Sequence, residues 1–140
     1  MYIMSPEAKW NILQMEEKIT KILASVVHEP EHHFGRPFTT PYKIADEFQR
    51  MYPKDFSALG KEIGGEGIGQ HHSLAQYIAN QLSRRILDKS INTIEGRFLY
   101  RGNRVSLKNS SNGQEILSSG QSSDLSIFRL KDENGGDIYQ

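Results

Sequence analysis

The chain of 140 residues is long enough for one domain with a hydrophobic core, and because it contains no cysteine it excludes disulfides and cysteine-ligated zinc. No apolar segment approaches the roughly 20 residues of a membrane span, and the N-terminus lacks the pattern of a signal peptide, so we expect a cytoplasmic protein that enters no membrane. Seventeen basic and seventeen acidic residues give a net charge of zero, which excludes a uniformly basic chain but not a basic surface within it.

The first predicted helix covers residues 5–28. Ser5 is a suitable N-cap, Pro6 favours the first helical position, and Glu7 complements the positive end of the helix dipole. Apolar residues repeat at spacings of three and four: Ala8, Ile12, Met15, Ile19, Ile22 and Val26, with Trp10, Leu13, Leu23 and Val27 broadening the stripe. Such a stripe must be buried in the domain's own core or against a second copy, so a homodimer through helix 5–28 is one hypothesis.

The loop after this helix contains a literal HExxH sequence at residues 28–32, the pattern of zinc proteases. That pattern requires both histidines on one face of a continuous helix, and Pro30 interrupts it. We therefore predict no metal site and no cofactor here. The pairs His32-His33 and His71-His72 would hold a metal only if their loops met, and surface histidines are the commoner explanation.

A second helix is predicted from Thr40 to Tyr52, since Thr40 is an N-cap followed by proline and Pro53 ends the pattern. Residues 55–60 favour a short further helical turn. The glycine-rich segment 64–69 looks like a phosphate loop but lacks the following lysine and the preceding strand that nucleotide loops require. Backbone N–H groups leading into a helix N-terminus would still form an anion site, so a phosphate clamp remains open.

The third predicted helix runs from Ser73 to Leu87 and carries the most informative polar residues. One face of this helix carries the apolar residues Leu74, Ile78, Leu82 and Ile86. If that face is buried, the polar residues that point towards solvent are Gln76, Asn80, Gln81 and Arg84. Asn and Gln bond adenine bidentately in the major groove, and Arg reads guanine or holds a phosphate. Arg85 lies on a neighbouring face, where it is expected to reach the DNA backbone.

A basic β-hairpin is predicted over residues 97–108, because two alternating segments flank the turn sequence RGNR at 101–104. Residues 82–108 contain seven basic and two acidic residues, the local surplus expected of a phosphate-facing surface. An ordinary solvated face is the alternative explanation of this surplus. On the first explanation, phosphate or minor-groove contacts would come from Arg97, Arg101, Arg104 and Lys108.

The last part of the chain, residues 109–140, is rich in Ser, Gly and Asn. This composition predicts a partly disordered tail, in which LSIFRL at 125–130 is compatible with one more strand. The domain prediction is therefore one folded domain over residues 1–108, followed by this tail.

Three helices followed by a two-stranded hairpin are the element order of a winged helix, and residues 40–108 resemble the winged helix-turn-helix superfamily. The resemblance implies a mainly α fold with a small β-hairpin (α+β), here with an extra long N-terminal helix. It implies that helix 73–87 recognises DNA, that helix 40–52 supports it and that the hairpin is the wing. The chain departs from the pattern where residues 53–72 replace the usual turn of three or four residues.

These features predict a winged-helix protein that binds duplex DNA, either a transcriptional regulator or an accessory factor of a DNA-acting system. The predicted contacts are Ser73, Gln76, Asn80, Arg84, Arg85, Arg97, Arg101, Arg104 and Lys108. No catalytic constellation is evident in the sequence, so we do not expect an enzyme. The alternative is a protein-interaction winged helix, whose hairpin and first helix bind a partner subunit.

Overall fold

The structure, a computed structural model, describes residues 5–64, 73–100, 106–108, 115–117 and 125–132. Its elements in chain order are α1 (Pro6–Ile12), α2 (Met15–Ala24), α3 (Pro41–Met51), α4 (Pro53–Leu59), α5 (Leu74–Leu87), β1 (Ile94–Leu99), β2 (Ser106–Lys108), β3 (Glu115–Leu117) and β4 (Leu125–Leu130). All strand pairing is antiparallel within this part of the chain. The mixture of helices with a small antiparallel sheet agrees with the predicted α+β class.

The predicted continuous helix over 5–28 is wrong, because the chain forms two helices, α1 and α2, separated by Leu13 and Gln14. Gln14 adopts a left-handed backbone conformation with a φ of 52°. Packing explains the break. Trp10 and Met15 are 2% and 0% exposed, and on a straight helix they would point about 140° apart. The change of direction at Gln14 lets the same core receive both side chains.

Lys18 of α2 contacts both the break between α1 and α2 and the helix α4. Its ammonium group donates to the Leu13 carbonyl oxygen at 2.5 Å, which satisfies an acceptor that a continuous helix would have used. The same group lies 2.5 Å from the Asp55 carboxylate of α4 and 5.6 Å from the ring centre of Tyr52. With only 20% of its side chain exposed, Lys18 is a structural cation.

The starts of α3 and α5 are confirmed by their caps. Thr40 Oγ1 accepts the Lys43 N–H at 3.1 Å, and Ser73 Oγ accepts the Gln76 N–H at 3.0 Å. Pro53 ends α3 as predicted and also occupies the first turn of α4, so the short helical turn expected there has seven residues. Between α3 and α5 the chain therefore forms a further helix rather than a simple turn.

The hydrophobic core joins α1, α2, α3 and α5 to the paired strands β1 and β4. Its fully buried large side chains are Trp10, Met15, Ile19, Ile22, Leu23, Ile44, Phe48, Leu74, Ile78, Leu82, Ile94 and Phe128. Most of the apolar stripe of the predicted first helix is buried within one copy of the chain, whereas Ile12 and Val27 are 63% and 90% exposed. The buried part needs no second copy, and both the homodimer through helix 5–28 and the oligomeric state stay predictions.

The strand after α5 does not pair as predicted. β1 pairs with β4, in a register that places Ile94 opposite Leu130. β2 pairs with β3, and here Ser106 lies opposite Leu117. The predicted hairpin over 97–108, in which β1 would pair with β2, is therefore wrong, and its predicted turn at 101–104 lies outside the described residues.

The two ladders form two separate two-stranded antiparallel sheets. Partners in the β1–β4 ladder are symmetric about residue 112, and partners in the β2–β3 ladder about the midpoint of residues 111 and 112, so the two registers differ by one residue. We call these four strands the ribbon.

The strand expected over 125–130 is confirmed, but it belongs to the folded domain rather than to a tail. Phe128 is 2% exposed, and its backbone exchanges two hydrogen bonds of 2.8 Å with Thr39, next to the cap of α3. A Cβ atom on Gly96 would lie 3.1 Å from the Phe128 ring, so the glycine makes room for that ring. The domain therefore continues past residue 108 through β4.

The rest of the predicted tail, at residues 109–114, 118–124 and 133–140, lies outside the described residues. The prediction of disorder there stays a prediction.

Candidate nucleic-acid interface

α5 is buried around most of its circumference and exposes one narrow stripe. We call this set the α5 stripe; its members recur every three or four residues and are Gln76, Asn80, Ser83, Arg84 and Leu87. The Gln76 side-chain amide donates to Asn80 Oδ1 at 2.9 Å, which orients both amides along the helix. The sequence of α5 contains no acidic residue. The stripe therefore offers amide, hydroxyl and guanidinium groups, which are the groups that contact bases and phosphates.

Two residues that were predicted to face outward do not. Gln81 is 3% exposed, and its Oε1 accepts a hydrogen bond from Arg85 Nη2 at 3.2 Å. The Arg85 guanidinium lies 5.0 Å from the centre of the Trp10 ring, a cation–π contact with α1. Arg85 therefore packs between two helices in this structure, and its predicted role in reaching the DNA backbone stays a prediction.

Arg84 is exposed and paired across to α1. Its Nη1 lies 2.6 Å from Glu7 Oε1, and the two side chains are 61% and 52% exposed. Exposed ion pairs of this kind stabilise a protein by only about 0–1 kcal/mol. The guanidinium of Arg84 can therefore exchange Glu7 for a phosphate at small cost.

Tyr77 provides a firmer link between α1 and α5. Its hydroxyl donates to the Pro6 carbonyl oxygen at 2.8 Å, and its ring lies edge-on to Trp10 with 6.0 Å between the ring centres. Burial raises the pKa of Tyr77 to about 12, because the ionised phenolate would be poorly solvated there. The phenol thus stays protonated and donating at neutral pH, and α1 holds one flank of α5 in place.

The N-terminus of α5 has no free donors for an anion. Its first three N–H groups all donate within the chain: Leu74 to the Glu62 carbonyl oxygen at 2.6 Å, Ala75 to the Ile63 carbonyl oxygen at 2.9 Å, and Gln76 to Ser73 Oγ at 3.0 Å. The first turn of α5 therefore offers nothing to a phosphate clamp, while the glycines at 65–69, whose N–H groups the hypothesis also used, lie outside the described residues. Ser73 caps the helix and is only 5% exposed, and its predicted DNA contact stays a prediction.

On the ribbon, Arg97 is the predicted contact whose side chain the structure describes. It is 62% exposed and lies 3.9 Å from Glu95, which is itself engaged by Arg129. Arg101 and Arg104 lie outside the described residues. Lys108 lies in β2 opposite Glu115.

A groove of about 220 Å³ separates the C-terminal half of α5 from the base of the ribbon. Ser83, Leu87, Arg97 and Phe98 are among its lining residues. Leu87 is 84% and Phe98 72% exposed. Sequence reasoning missed Ser83 and Leu87, although both continue the spacing of three and four that begins at Gln76. Phe98 was missed because the predicted hairpin assigned β1 the wrong partner.

The HExxH sequence at 28–32 lies in turns and loop, after α2 has ended. The His32 N–H donates to the Glu29 carbonyl oxygen at 3.3 Å, and Glu31 has a φ of 67°, so no helical face presents both histidines. Within the described residues, no group of three or more His, Asp or Glu side chains is arranged to hold a metal ion. His71 and His72 lie outside that part of the chain.

Comparison of the chain with protein-family models, with curated proteins and with solved structures finds no match. In the part of the chain that the structure describes, none of the helices has the length and apolar character that a membrane span requires. Function is therefore inferred from the geometry of the α5 stripe and the ribbon.

Proposed function

We propose that this is a winged-helix protein that binds duplex DNA, with α5 in the major groove and the ribbon as a wing against the phosphate backbone. The observation that carries the proposal is the α5 stripe: a row of amide, hydroxyl and guanidinium groups on an anchored helix that has no acidic residue. Such a row matches the acceptors and donors on base edges, and no carboxylate of its own helix repels phosphate.

The arrangement of elements supports a winged-helix fold. α3 contacts both α2 and α5, and β1 also contacts α5. The backbone bridge between Thr39 and Phe128 attaches the ribbon to the residue before the α3 cap. The paired strands β1 and β4 of the ribbon thus lie beside α5, the position from which a wing would reach the backbone that flanks the groove.

The length of the stripe is suited to base reading. Gln76 and Arg84 are eight residues apart, which corresponds to about 12 Å along the helix axis. That distance spans about three to four base pairs of DNA at roughly 3.4 Å each. Gln76, Asn80 and Ser83 are the proposed base-reading residues, and Arg84 reads guanine or holds a phosphate.

The proposed contact set is smaller and better placed than the predicted one. Arg97 reaches phosphate from the exposed side of β1, and the remaining cations of the ribbon are Arg101, Arg104 and Lys108. Ser73 and Arg85 leave the set as direct contacts and act as a cap and as a packing residue. A role as a transcriptional regulator or as an accessory factor of a DNA-acting system follows from binding of this kind.

The test is the affinity for a labelled random-sequence duplex of about 24 base pairs, measured by fluorescence anisotropy at about 50 and 200 mM KCl. The variant Arg84→Glu/Arg97→Glu changes the two described cations of the interface. Lys21→Glu/Lys54→Glu is the control, because it makes the same change of net charge at exposed positions of α2 and α4.

We expect the affinity of the wild type to fall about tenfold or more between the two salt concentrations, because bound cations release counterions from DNA. The interface variant should bind about tenfold or more weakly than the control variant. Equal losses in both variants would mean that only net charge matters, and no binding by the wild type would refute the proposal.

A protein-interaction module is the second candidate, and the exposed apolar side chains beside the same groove favour it. Leu87, Phe98 and Tyr100 are large apolar side chains that are 84%, 72% and 68% exposed, and a cluster of such side chains is typical of a protein-interaction surface. A partner protein would bury these side chains, so replacing them with polar residues would abolish binding of the partner. The variant Leu87→Ser/Phe98→Ser separates the candidates, since DNA binding that depends on cations should survive it almost unchanged.

A further inference from the structure

A cavity of about 830 Å³ lies beside the loop between α2 and α3, outside the α5 stripe. Val27, His28, Phe34, Arg36 and Phe38 are among its lining residues. Its volume falls within the range of about 300–1,000 Å³ that is typical of small-molecule sites. The cavity therefore has the size of a ligand site and combines apolar walls with a few polar groups.

Arg36 is the unusual group in this wall. It is half-buried, and no carboxylate of the described residues lies within ion-pair distance of its guanidinium. Its Nε is buried without a hydrogen-bond partner, and its Nη1 faces His28 Nδ1 at 3.4 Å. Glu29 also lines the cavity but does not pair with it. A partly desolvated cation without a counter-charge is costly, and an anion would relieve that cost.

Arg129, the other arginine of the cavity, is already engaged. Its Nε pairs with Glu95, and its Nη1 donates to the carbonyl oxygens of Phe34 at 2.6 Å and Arg36 at 2.9 Å. Its guanidinium also lies 4.3 Å from the centre of the Phe38 ring. Arg129 therefore holds the wall of the cavity in shape, and Arg36 is the cation that remains for a ligand.

The apolar part of the wall is largely aromatic. Phe34 is 66% exposed, and its ring lies 4.4 Å from that of His33 and 5.6 Å from that of His32. Val27, which lines the same cavity, is 90% exposed. Exposed flat rings beside a cation fit a planar aromatic molecule with one anionic group.

We propose that this cavity binds a small aromatic carboxylate. Arg36 holds the carboxylate through its guanidinium, and Val27, Phe34 and Phe38 cover the ring. The proposal does not depend on DNA binding, since none of these residues belongs to the α5 stripe or the ribbon.

The probe is 1-naphthoate, and the measurement is isothermal titration of the full chain. We expect one site per chain with a dissociation constant below about 1 mM, which is typical of a ligand of this size. The neutral isostere 1-naphthalenemethanol should bind about tenfold more weakly, because it lacks the charge that Arg36 meets. Equal binding of acid and alcohol, or no binding of either, would overturn the proposal.

Two variants test whether 1-naphthoate binds in this cavity. Arg36→Gln should weaken binding of 1-naphthoate about tenfold. Arg50→Gln, the same substitution at an exposed position of α3, should leave the affinity unchanged. Because Arg36 is half-buried and its variant can lose stability, Phe34→Ala at an exposed position provides a second test and should also weaken binding. Binding that neither variant changes would place the ligand elsewhere and overturn the proposal. A dimer in sedimentation that Phe34→Ala dissociates would show that a second copy fills the cavity, and this too would overturn it.

Discussion

α3 and α5 are alike on their inner faces and differ on their outer ones. Both begin at a hydroxyl N-cap, and both bury fully apolar side chains in the shared core, such as Phe48 on α3 and Leu82 on α5. On the outside, α3 carries two cations around one carboxylate: Lys43 lies 3.2 Å from Glu47, and Arg50 pairs with the same residue. α5 has no acidic residue to pair with its own cations.

On the proposed function, this difference separates α3 as the supporting helix from α5 as the recognition helix. Hydrogen bonds from Arg50 and Lys43 hold the pKa of Glu47 below its usual value, so its carboxylate is charged near neutral pH, and Lys43 also lies 3.8 Å from the Asp46 carboxylate. The charges of α3 are thus largely satisfied within the helix. On the α5 stripe, Gln76 bonds Asn80 and Arg84 pairs with the exposed Glu7 of α1, so α5 is the helix with groups to offer an anionic partner.

The largest expected effects concern the inner faces, where the two helices should behave alike. Phe48→Ala should lower the free energy of unfolding by about 3–5 kcal/mol and Leu82→Ala by about 2–5 kcal/mol, because each leaves a cavity in a packed core. Urea denaturation of both variants measures this. A loss below about 1 kcal/mol for Leu82→Ala would mean that α5 is not anchored as the structure shows.

The caps should also behave alike, with a smaller effect. Thr40→Ala and Ser73→Ala should each cost about 1 kcal/mol of stability, because each leaves an N–H group of the first turn without its acceptor. Affinity for DNA, measured where both variants are folded, should not change for Ser73→Ala. A loss of affinity without a loss of stability would show instead that the Ser73 hydroxyl contacts DNA.

The link between α1 and α5 predicts a pH dependence in the alkaline range. Tyr77 has a folded pKa of about 12 against about 10 when unfolded. The stability that the protonated phenol contributes is therefore fully present below pH 10 and is lost as the pH rises towards 12. Tyr77→Phe should lower the free energy of unfolding by about 1 kcal/mol at neutral pH and flatten this alkaline decline. Equal declines in the variant and the wild type would contradict the assignment to Tyr77.

The smallest effects on stability concern the exposed ion pairs, and here the helices should differ in DNA binding. Glu7→Gln removes a carboxylate that is 52% exposed and should cost no more than about 1 kcal/mol of stability, whereas Glu47→Gln removes one that is 16% exposed and should cost somewhat more. Glu7→Gln should raise DNA affinity about two- to fivefold, because it releases Arg84. Glu47→Gln is its control for net charge. An equal gain in both variants would remove the distinction between α3 and α5.

Local signals in the sequence predicted the helices well and the ribbon poorly. Thr40 and Ser73, each with an amphipathic segment behind it, were sufficient to place α3 and α5, because caps and periodicity act over a few residues. Nothing local marks Gln14 as a break, since no glycine or proline is present there. That break depends on where Trp10 and Met15 must pack in the assembled core.

The ribbon shows the same limit at longer range. The RGNR sequence at 101–104 carries a turn signal that favoured a local hairpin, and only the pairing of β1 with β4 shows that the partner of β1 lies further along the chain. The serine-rich composition after residue 108 favoured a linker, which hid that partner. Likewise the apolar periodicity of the helix predicted most of the α5 stripe. The packing of Arg85 on Trp10, and the hydrogen bonds from the first N–H groups of α5 to the carbonyl oxygens of Glu62 and Ile63, are tertiary contacts that no local pattern predicts.

The most direct test of the central claim is a ¹H–¹⁵N spectrum of the protein titrated with a short duplex. Binding through α5 predicts that the side-chain amide signals of Gln76 and Asn80 shift with the backbone signals of Ser83 and Arg97. The exposed positions of α3, Lys43 and Arg50, should shift much less. Shifts centred on α3, or shifts confined to Leu87 and Phe98 with the two amides unmoved, would contradict the claim that the α5 stripe reads DNA.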